Sequence, residues 1–403
     1  MKKLLQINTY GNWGSTGRIA EQIGKLAIDS GWKSYIACDR KITNSSSIIL
    51  KVGNVASRIS HGAVSRLFDA QGLGSVIATY RLINKIKKIR PDIIHLHNIH
   101  GYYINYRILF SFLKEYKAPI VWTLHDCWSF TGHCSHFDLI GCNKLETECS
   151  KCPQKGEYPK SYTDFSRRNF KLKKKAFTGC DNLTIVPVSH WLENLVKESF
   201  LKDYRTKVIY NGIDTDVFSI QNNAGEVRAK YGIKSKYVVL GVASPFTQRK
   251  GFVDFIELSK TLPEYGIVLV GLNSAQKKQL PENIVGIERT QDVGELALLY
   301  SCADVFVNMT YEDNFPTTNL EAMACGTPVV TYKTGGSPEA LDAETGIVVE
   351  KGNLADVCDA VETVCRNRKA SYIEACRNRV VRLFNKNDRF REYIDLYDNL
   401  LDR

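Results

Sequence analysis

Apolar residues arrive in short dense runs along most of the chain, and the stretches between them switch to helical spacing. In the first half the runs are KLLQINT, KSYIACD, DIIHLH, IVWTLHD and LTIVPVS. In the second they are KVIYNG, YVVLGVA, GIVLVGL, VFVNMT, PVVTY and GIVVE. Intervening segments such as TGRIAEQIGKLAIDSG and GELALLYSCA repeat their apolar positions every three to four residues, as one face of a helix does. Strands this continuously apolar are buried on both faces, which implies parallel sheets covered by helices. The pattern predicts two doubly wound α/β domains that meet near residues 200–213, with no internal repeat and no low-complexity linker. Ligands of such sheets bind at the carboxyl ends of the strands, and with two domains the cleft between them is the expected site.

The length of 403 residues agrees with two domains, and 44% hydrophobic with 24% charged residues is ordinary for a globular enzyme. No apolar run approaches the roughly 20 residues needed to span a bilayer. The opening MKKLLQINTYGNWG turns polar too soon for a signal peptide and reads as a first buried strand. A cytoplasmic location is expected. The net charge of +11 leaves nucleic acid, an anionic membrane surface or an anionic small molecule as partners. With no Arg-rich tail and no basic–aromatic alternation, nucleic acid is set aside. The basic stretch SRRNFKLKKKAF (166–177) has two readings: a solvated helix face, or peripheral attachment to anionic lipid at the inner face of the cell membrane.

Candidate chemistry divides between the halves. All eight histidines and all five tryptophans precede residue 192, which suggests that each half handles a different substrate. YGNWGSTGR (10–18) follows the first strand and opens a helix. Gly14, Ser15, Thr16 and Gly17 there form either a tight turn or a loop whose backbone N–H groups approach an anionic or sugar ligand. The spacing is not that of a dinucleotide fingerprint. TLHDCW puts His125 and Asp126 at the carboxyl end of a strand, as a structural histidine or as a substrate contact. HLHNIH ends a neighbouring strand, with alternation sending His95 and His97 to one face.

In the second half SPFTQRKGF sets Arg249 and Lys250 at a strand-to-helix turn, where they are either solvated or clamp a diphosphate with help from the helix dipole. YEDNFPTTNLEAMACGTPVV carries three acids around a helix start. There the N–H groups of Thr317 and Thr318 point out toward any phosphate, and Glu321 lies about one turn further in.

The ordered set of a buried strand, an acid, Phe-Pro, LEAMACGTPVV and TGGSPE resembles the C-terminal domain of retaining GT-B glycosyltransferases of family 4 (glycosyl transferases group 1). VIYNGIDTDVF (208–218) resembles the segment opening that domain. The resemblance spans nearly the whole chain. It implies an acceptor-side Rossmann-like domain at 1–205 with a Cys-rich insertion at 127–159. A nucleotide-sugar-binding domain follows at 206–385, then a helix at 386–403 that returns toward the first domain. The family's paired-acid motif, Glu and Glu eight positions apart, falls here on Asp313 and Glu321, with Glu312 a neighbour. By resemblance Glu321 holds the nucleotide ribose, Asp313 holds hydroxyls of the donor sugar, and the shorter Asp admits a different sugar or pose. Lys250 matches the phosphate clamp. The family's partner arginine stands five residues earlier, where this chain has Pro245, and Arg249 is the substitute. The implied donor-binding set is therefore Arg249, Lys250, Thr317, Thr318, Asn319 and Glu321. His125 matches the active-site histidine beside the donor sugar, so that His125, Asp313 and Glu321 form the implied catalytic set. The loop from Gly14 to Gly17 matches the glycine-rich loop facing donor and acceptor. Retention and no cofactor requirement for catalysis are also implied.

Of the twelve cysteines, Cys302, Cys325, Cys358, Cys365 and Cys376 lie in apolar or helical surroundings and read as small core residues. Cys134, Cys142, Cys149 and Cys152 follow His125–Asp126 at intervals that suit a four-thiolate structural zinc site. A metal-free reduced loop and a redox pair are the other readings. The expected activity is hexosyl transfer from a UDP- or GDP-sugar to a glycan or lipid-linked glycan acceptor in surface polysaccharide synthesis. The rivals are a nucleotide-sugar epimerase on the same scaffold, and a zinc-bearing basic module that binds RNA or membrane.

Overall fold

The computed structural model describes residues 1–402 and divides into two compact units. The first is Met1–Tyr210 together with Phe390–Arg403, and the second is Asn211–Arg389. The first unit carries β1 (Lys3–Ile7), β2 (Lys33–Cys38), β3 (Ile48–Lys51), β4 (Ile93–Leu96), β5 (Ile120–Leu124), β6 (Leu183–Pro187) and β7 (Arg205–Thr206). Its helices are α1 (Gly14–Asp29), α2 (Val55–Phe68), α3 (Val76–Ile89), α4 (Tyr106–Glu115), α5 (Ser166–Phe177) and α6 (His190–Glu198). The sheet order is β3-β2-β1-β4-β5-β6-β7, with every ladder parallel.

The second unit repeats the plan. Its strands are β8 (Val238–Val242), β9 (Gly266–Val270), β10 (Ile284–Ile287), β11 (Val305–Asn308), β12 (Val329–Tyr332) and β13 (Gly346–Val349), ordered β10-β9-β8-β11-β12-β13. Among its helices are α7 (Ala224–Tyr231), α8 (Phe252–Thr261), α9 (Ser274–Lys277), α10 (Val293–Cys302), α11 (Thr317–Ala324), α12 (Leu354–Asn367) and α13 (Ile373–Phe384). α14 (Lys386–Leu401) then carries the chain back into the first unit. No helix among the described residues is long and apolar enough to cross a membrane.

Most apolar runs became strands, with one exception. KVIYNG forms no named strand: β7 ends at Thr206, and beyond it only Lys207 N–H and Ile209 N–H still donate to the Ile185 and Pro187 carbonyls of β6, at 3.1 and 3.2 Å. In the opposite sense, β3 and β10 formed from runs too short to stand out. Both lie at sheet edges, where one ladder suffices.

α14 is the least local part of the first unit. Its Phe390, Tyr393, Ile394, Leu396 and Tyr397 are buried in one cluster with Leu4, Ile23, Ile93 and Val121. Tyr397 OH sits 2.6 Å from His95 Nδ1, and Thr123 Oγ1 is 3.1 Å from Tyr393 OH. Both tyrosines are fully enclosed, so each hydroxyl requires a partner of this kind. We expect Tyr397→Ala to destabilise the first unit by about 3 kcal/mol, and Tyr397→Phe by about 1 kcal/mol. Because every tryptophan precedes residue 192, urea denaturation followed by tryptophan fluorescence reads this unit alone.

Candidate functional site

Each sheet reverses its winding once. In the second unit the reversal lies between β8 and β11, and the segments leaving their carboxyl ends carry the candidate donor residues. After β8 the chain makes a 3-10 turn at Gln248–Lys250, and Gly251 (φ +73°) starts α8. A Cβ at Gly251 would meet the Met309 carbonyl oxygen at 2.4 Å, so only glycine lets this turn press against the end of β11. The close approach is tied by Tyr311 N–H, which donates to the Arg249 carbonyl at 2.8 Å. It brings Lys250 Nζ to 2.6 Å from Asp313 Oδ2, with both side chains about a quarter exposed. Arg249 Nη1 donates to the Glu312 carbonyl at 3.3 Å.

α11 begins after Pro316, leaving the N–H groups of Thr317 and Thr318 outside its own ladder. Glu321 accepts from Tyr300 OH at 2.9 Å on one oxygen and from Thr317 Oγ1 at 3.4 Å on the other. Burial, with the Glu321 carboxylate beside it, holds the Tyr300 phenol well above its ordinary range, so Tyr300 is a fixed donor. Asn319 is wholly enclosed. Its amide receives Asn308 Nδ2 and donates to Ser337 Oγ, both at 2.8 Å, which pins α11 to β11 and to the TGGSPE turn. In that turn a Cβ at Gly335 (φ +53°) would lie 1.7 Å from the Asp313 carbonyl oxygen. The Thr334 hydroxyl next to it is buried with no hydrogen-bond partner. The structure thus joins Lys250 to Asp313, Arg249 to the backbone of Glu312 and Thr317 to Glu321 on the segments leaving β8 and β11, and gives Asn319 a positioning role. Glu312 is only 4% exposed, whereas Asp313 reaches solvent.

In the first unit the reversal lies between β1 and β4. The carboxyl ends of β4 and β5 carry a run of imidazoles. Gln6 fixes their protons: its Nε2 donates to the Ala20 carbonyl at 2.7 Å, so its Oε1 faces His97 Nε2 at 3.0 Å and accepts from it. His97 Nδ1 is then an acceptor, and His125 Nε2, 3.2 Å away, supplies the proton. The His97 and His125 rings stack at 5.5 Å. Burial pushes His125 down to about 4 and holds His95 and His97 well below the usual imidazole range. Asp126 takes a different partner, His100 Nε2 at 2.8 Å, whose other nitrogen meets Tyr158 OH at 2.9 Å. Burial alone would raise Asp126, but the charge and hydrogen bond of His100 outweigh it and bring the carboxyl down to about 2.

In the loop that leaves β1, Gly14 (φ +64°) is the first residue of α1 and its Cβ position is open space. Ser15 is exposed, and Thr16 Oγ1 lies 3.4 Å from Asn8 Nδ2. Gly17 is buried against Tyr10, where a Cβ would sit 3.3 Å from its carbonyl oxygen.

The insertion after Asp126 is mostly irregular, with 3-10 turns at Trp128–Phe130 and Asp138–Ile140. Polar anchors hold it: His133 Nδ1 to Asp69 at 2.6 Å, and Cys152 N–H to Asp164 at 2.7 Å. Cys134 and Cys152 share a thiol hydrogen bond that raises Cys134 and brings Cys152 down to about 7. Cys149 acts electrostatically on Cys134, and Cys142 on Cys149. Among the described residues no three His, Cys, Asp or Glu side chains converge as a ligand set for a metal ion.

The basic helix α5 is not uniformly solvated. Lys173 is buried, donates to the Trp128 carbonyl at 2.6 Å and lies 3.7 Å from the centre of a Trp128 ring; burial lowers it to about 7.

Gln6, Tyr300 and Tyr158 matter to the two crevices, and motif reading passed over them. Gln6 had a signal, a lone amide inside an apolar strand. Tyr300 and Tyr158 had none, because their partners lie 21 and 58 residues away.

The lowered imidazoles carry a testable sign. Unfolded histidine takes up a proton near pH 6.5, whereas His125 in the fold does so only near 4. The unfolded chain therefore binds more protons in that interval, and the first unit loses stability as pH falls from 6.5 toward 4. At pH 5.5, imidazole nitrogen NMR should show His95, His97 and His125 neutral. Protonated signals from His125 at that pH would refute the proton assignment.

Comparison with known proteins agrees with this fold. The family model for Glyco_transf_4 (Glycosyltransferase Family 4) matches residues 32–217, and that for Glycosyl transferases group 1 matches residues 223–379. A protein of Escherichia coli K12 named as the colanic acid biosynthesis glycosyl transferase WcaC is 24% identical, over 98% of this chain and all of its own length. In fold, the chain is similar to a sucrose-phosphate synthase of Thermosynechococcus elongatus, with a TM-score of 0.74, 17% identity and complete coverage of both chains. It is also similar to Anabaena HepE, solved in complex with UDP-glucose, with a TM-score of 0.68 and 15% identity over 99% of this chain and all of HepE. Matched in turn across both of its units, the chain belongs to the family 4 glycosyltransferases, with a GT-B fold of two Rossmann-like units.

Proposed function

We propose that this enzyme transfers a sugar, with retention, from a UDP- or GDP-sugar to a glycan or lipid-linked glycan during surface polysaccharide assembly. The observation that carries the donor assignment is the Lys250–Asp313 ion pair at the mouth of the β8–β11 crevice, one helix start away from Glu321. A cation, an open helix N-terminus and two carboxylates suit three parts of one ligand. The diphosphate takes Lys250, Arg249 and the N–H groups of Thr317 and Thr318. The ribose hydroxyls take Glu321, held in place by Tyr300. When the diphosphate engages Lys250, Asp313 is released to accept from hydroxyls of the sugar.

In the transfer, the bond from the sugar's anomeric carbon to the leaving phosphate breaks and a bond to the acceptor oxygen forms on the same face. The acceptor proton passes to the departing phosphate, whose growing charge the cationic turn and the α11 start stabilise. His125 belongs to the first unit's part in this reaction. As a neutral imidazole it adds no positive charge beside the sugar. The E. coli relative named for colanic acid synthesis supports the polysaccharide setting. The UDP-glucose complex of HepE makes UDP-hexoses the first donors to test. A structural zinc ion on Cys134, Cys142, Cys149 and Cys152 is a further part of this proposal, supported by their spacing and by the Cys134–Cys152 thiol pair; the four thiols do not converge as they stand and would have to draw together on binding it.

A screen of nucleotide sugars for binding or slow hydrolysis reads the donor half without an acceptor. Glu321→Ala and Lys250→Ala should each weaken donor binding roughly 10- to 100-fold, and Glu312→Ala should leave it near the parent's value. Equal, severe losses at Glu312 and Glu321 would show that the acids are paired in the wrong register. Metal analysis of the purified chain should find about one zinc; under about 0.2 per chain would exclude the metal.

A further inference from the structure

α2 is built the wrong way round for a core helix. Its buried positions are His61, Gly62 and Ser65, while Val55, Ile59, Val64, Leu67 and Phe68 are exposed, Ile59 at 66% and Phe68 at 55%. The apolar face continues past its end. Val76, Ile77 and Tyr80 on the first turns of α3 are exposed as well. Tyr162 and Phe165 are joined to the same edge by Tyr162 N–H on the Arg66 carbonyl and Thr163 Oγ1 on the Leu67 carbonyl. Apolar residues left exposed on two elements that His61 ties together, 2.9 Å from Ser75 Oγ, mark something that covers them.

The charges say what covers it. Between Asp39 and Asp92 the chain has a single acid, Asp69, and it is buried against His133 and the Phe165 N–H. Arg66 flanks the patch on α2, and Arg81, Lys85, Lys87, Lys88 and Arg90 run exposed along α3. α5 differs, since Glu148 pairs there with both Arg167 and Lys171. An exposed apolar face rimmed by cations without acids fits the boundary between acyl chains and anionic headgroups. A second copy of the chain fits poorly, because a two-fold contact would bring the same cations face to face.

The face is also wired to the first unit's crevice. His61, on the buried side of α2, accepts from Gly72 N–H at 3.0 Å, and Gln71 Nε2 donates to Tyr158 OH at 3.1 Å. Tyr158 OH meets His100, which holds Asp126. α3 leads into β4, so its exposed first turn lies toward the carboxyl end of the sheet, on the same side as His97 and His125.

We propose that the outward face of α2 and the start of α3 seat the enzyme on an anionic lipid bilayer. This rests on the glycosyl-transfer reading only for its purpose, which is to hold the first unit's crevice beside a membrane-borne acceptor.

The test is sedimentation of the full chain with phosphatidylcholine vesicles, alone or with about a third phosphatidylglycerol. Binding to the anionic vesicles only, reduced in about 0.5 M salt, is expected. Ile59→Asp with Leu67→Asp should lower partitioning at least about tenfold with an unchanged thermal melt. Lys85→Gln, Lys87→Gln and Lys88→Gln together, which leave the apolar face intact, should lower it roughly tenfold on anionic vesicles. Hydrolysis of a soluble nucleotide sugar should be the same in all three proteins. A parent that stays in the supernatant with both vesicles, or an Ile59/Leu67 variant that binds as tightly as the parent, would overturn the proposal. So would a parent dimer that those substitutions dissolve while vesicle binding stays unchanged. If no nucleotide sugar is turned over but vesicle binding behaves as described, the docking face stands and the donor assignment falls.

Discussion

Two parallel ladders, β1 with β4 and β8 with β11, are the contacts on which the chemistry depends. At each of them neighbouring connections leave in opposite directions, so that loops meet over the carboxyl ends of the two strands. The demands on nearby residues follow. Loops must cross close to backbone, which Gly251 and Gly335 allow, and polar groups brought into the opening must find partners or a ligand. The imidazoles of the first crevice satisfy one another through Gln6. The carboxylates of the second lean on Lys250, Tyr300 and Thr317.

The two crevices differ in kind. In one, His95, His97 and His125 are held neutral by enclosure, beside the Asp126–His100 pair. The other sets opposite charges at contact distance while leaving them partly wet. A neutral, preorganised row of imidazoles suits the recognition of uncharged hydroxyl groups. A half-solvated ion pair suits an anion that arrives, exchanges partners and leaves, since neither charge has to be stripped fully of water.

The doubly wound plan was legible because parallel strands bury both faces and announce themselves as apolar runs. Edge strands such as β3 and β10 carry less of that signal. KVIYNG carried it at the edge beyond β7, where two backbone hydrogen bonds to β6 are all the pairing it has. Of the site, the helix start at Thr317 and the turn at Lys250 could be read from local spacing. The meeting of Lys250 with Asp313 is set by sheet order, which brings together residues 63 apart. The inverted face of α2 was overlooked for another reason. Periodicity shows that a helix has an apolar side, but not that this side faces outward. Only the packing of His61 against the Gly72–Ser75 loop reveals that.

The path of the chain has a consequence for how the protein is made. The core of the first unit is closed by α14, whose tyrosines bond to Thr123 and His95 across 270 and 302 residues. On the ribosome, the first sheet must therefore wait, with the seats for Phe390, Tyr393 and Tyr397 vacant, until the whole of Asn211–Arg389 has been synthesised. The second unit has no such debt and can close while the first is still incomplete. The order of completion thus runs against the order of synthesis. A ribosome stalled within α12 or α13 would present the cell with an unsealed apolar surface on the half made first, a natural substrate for chaperones.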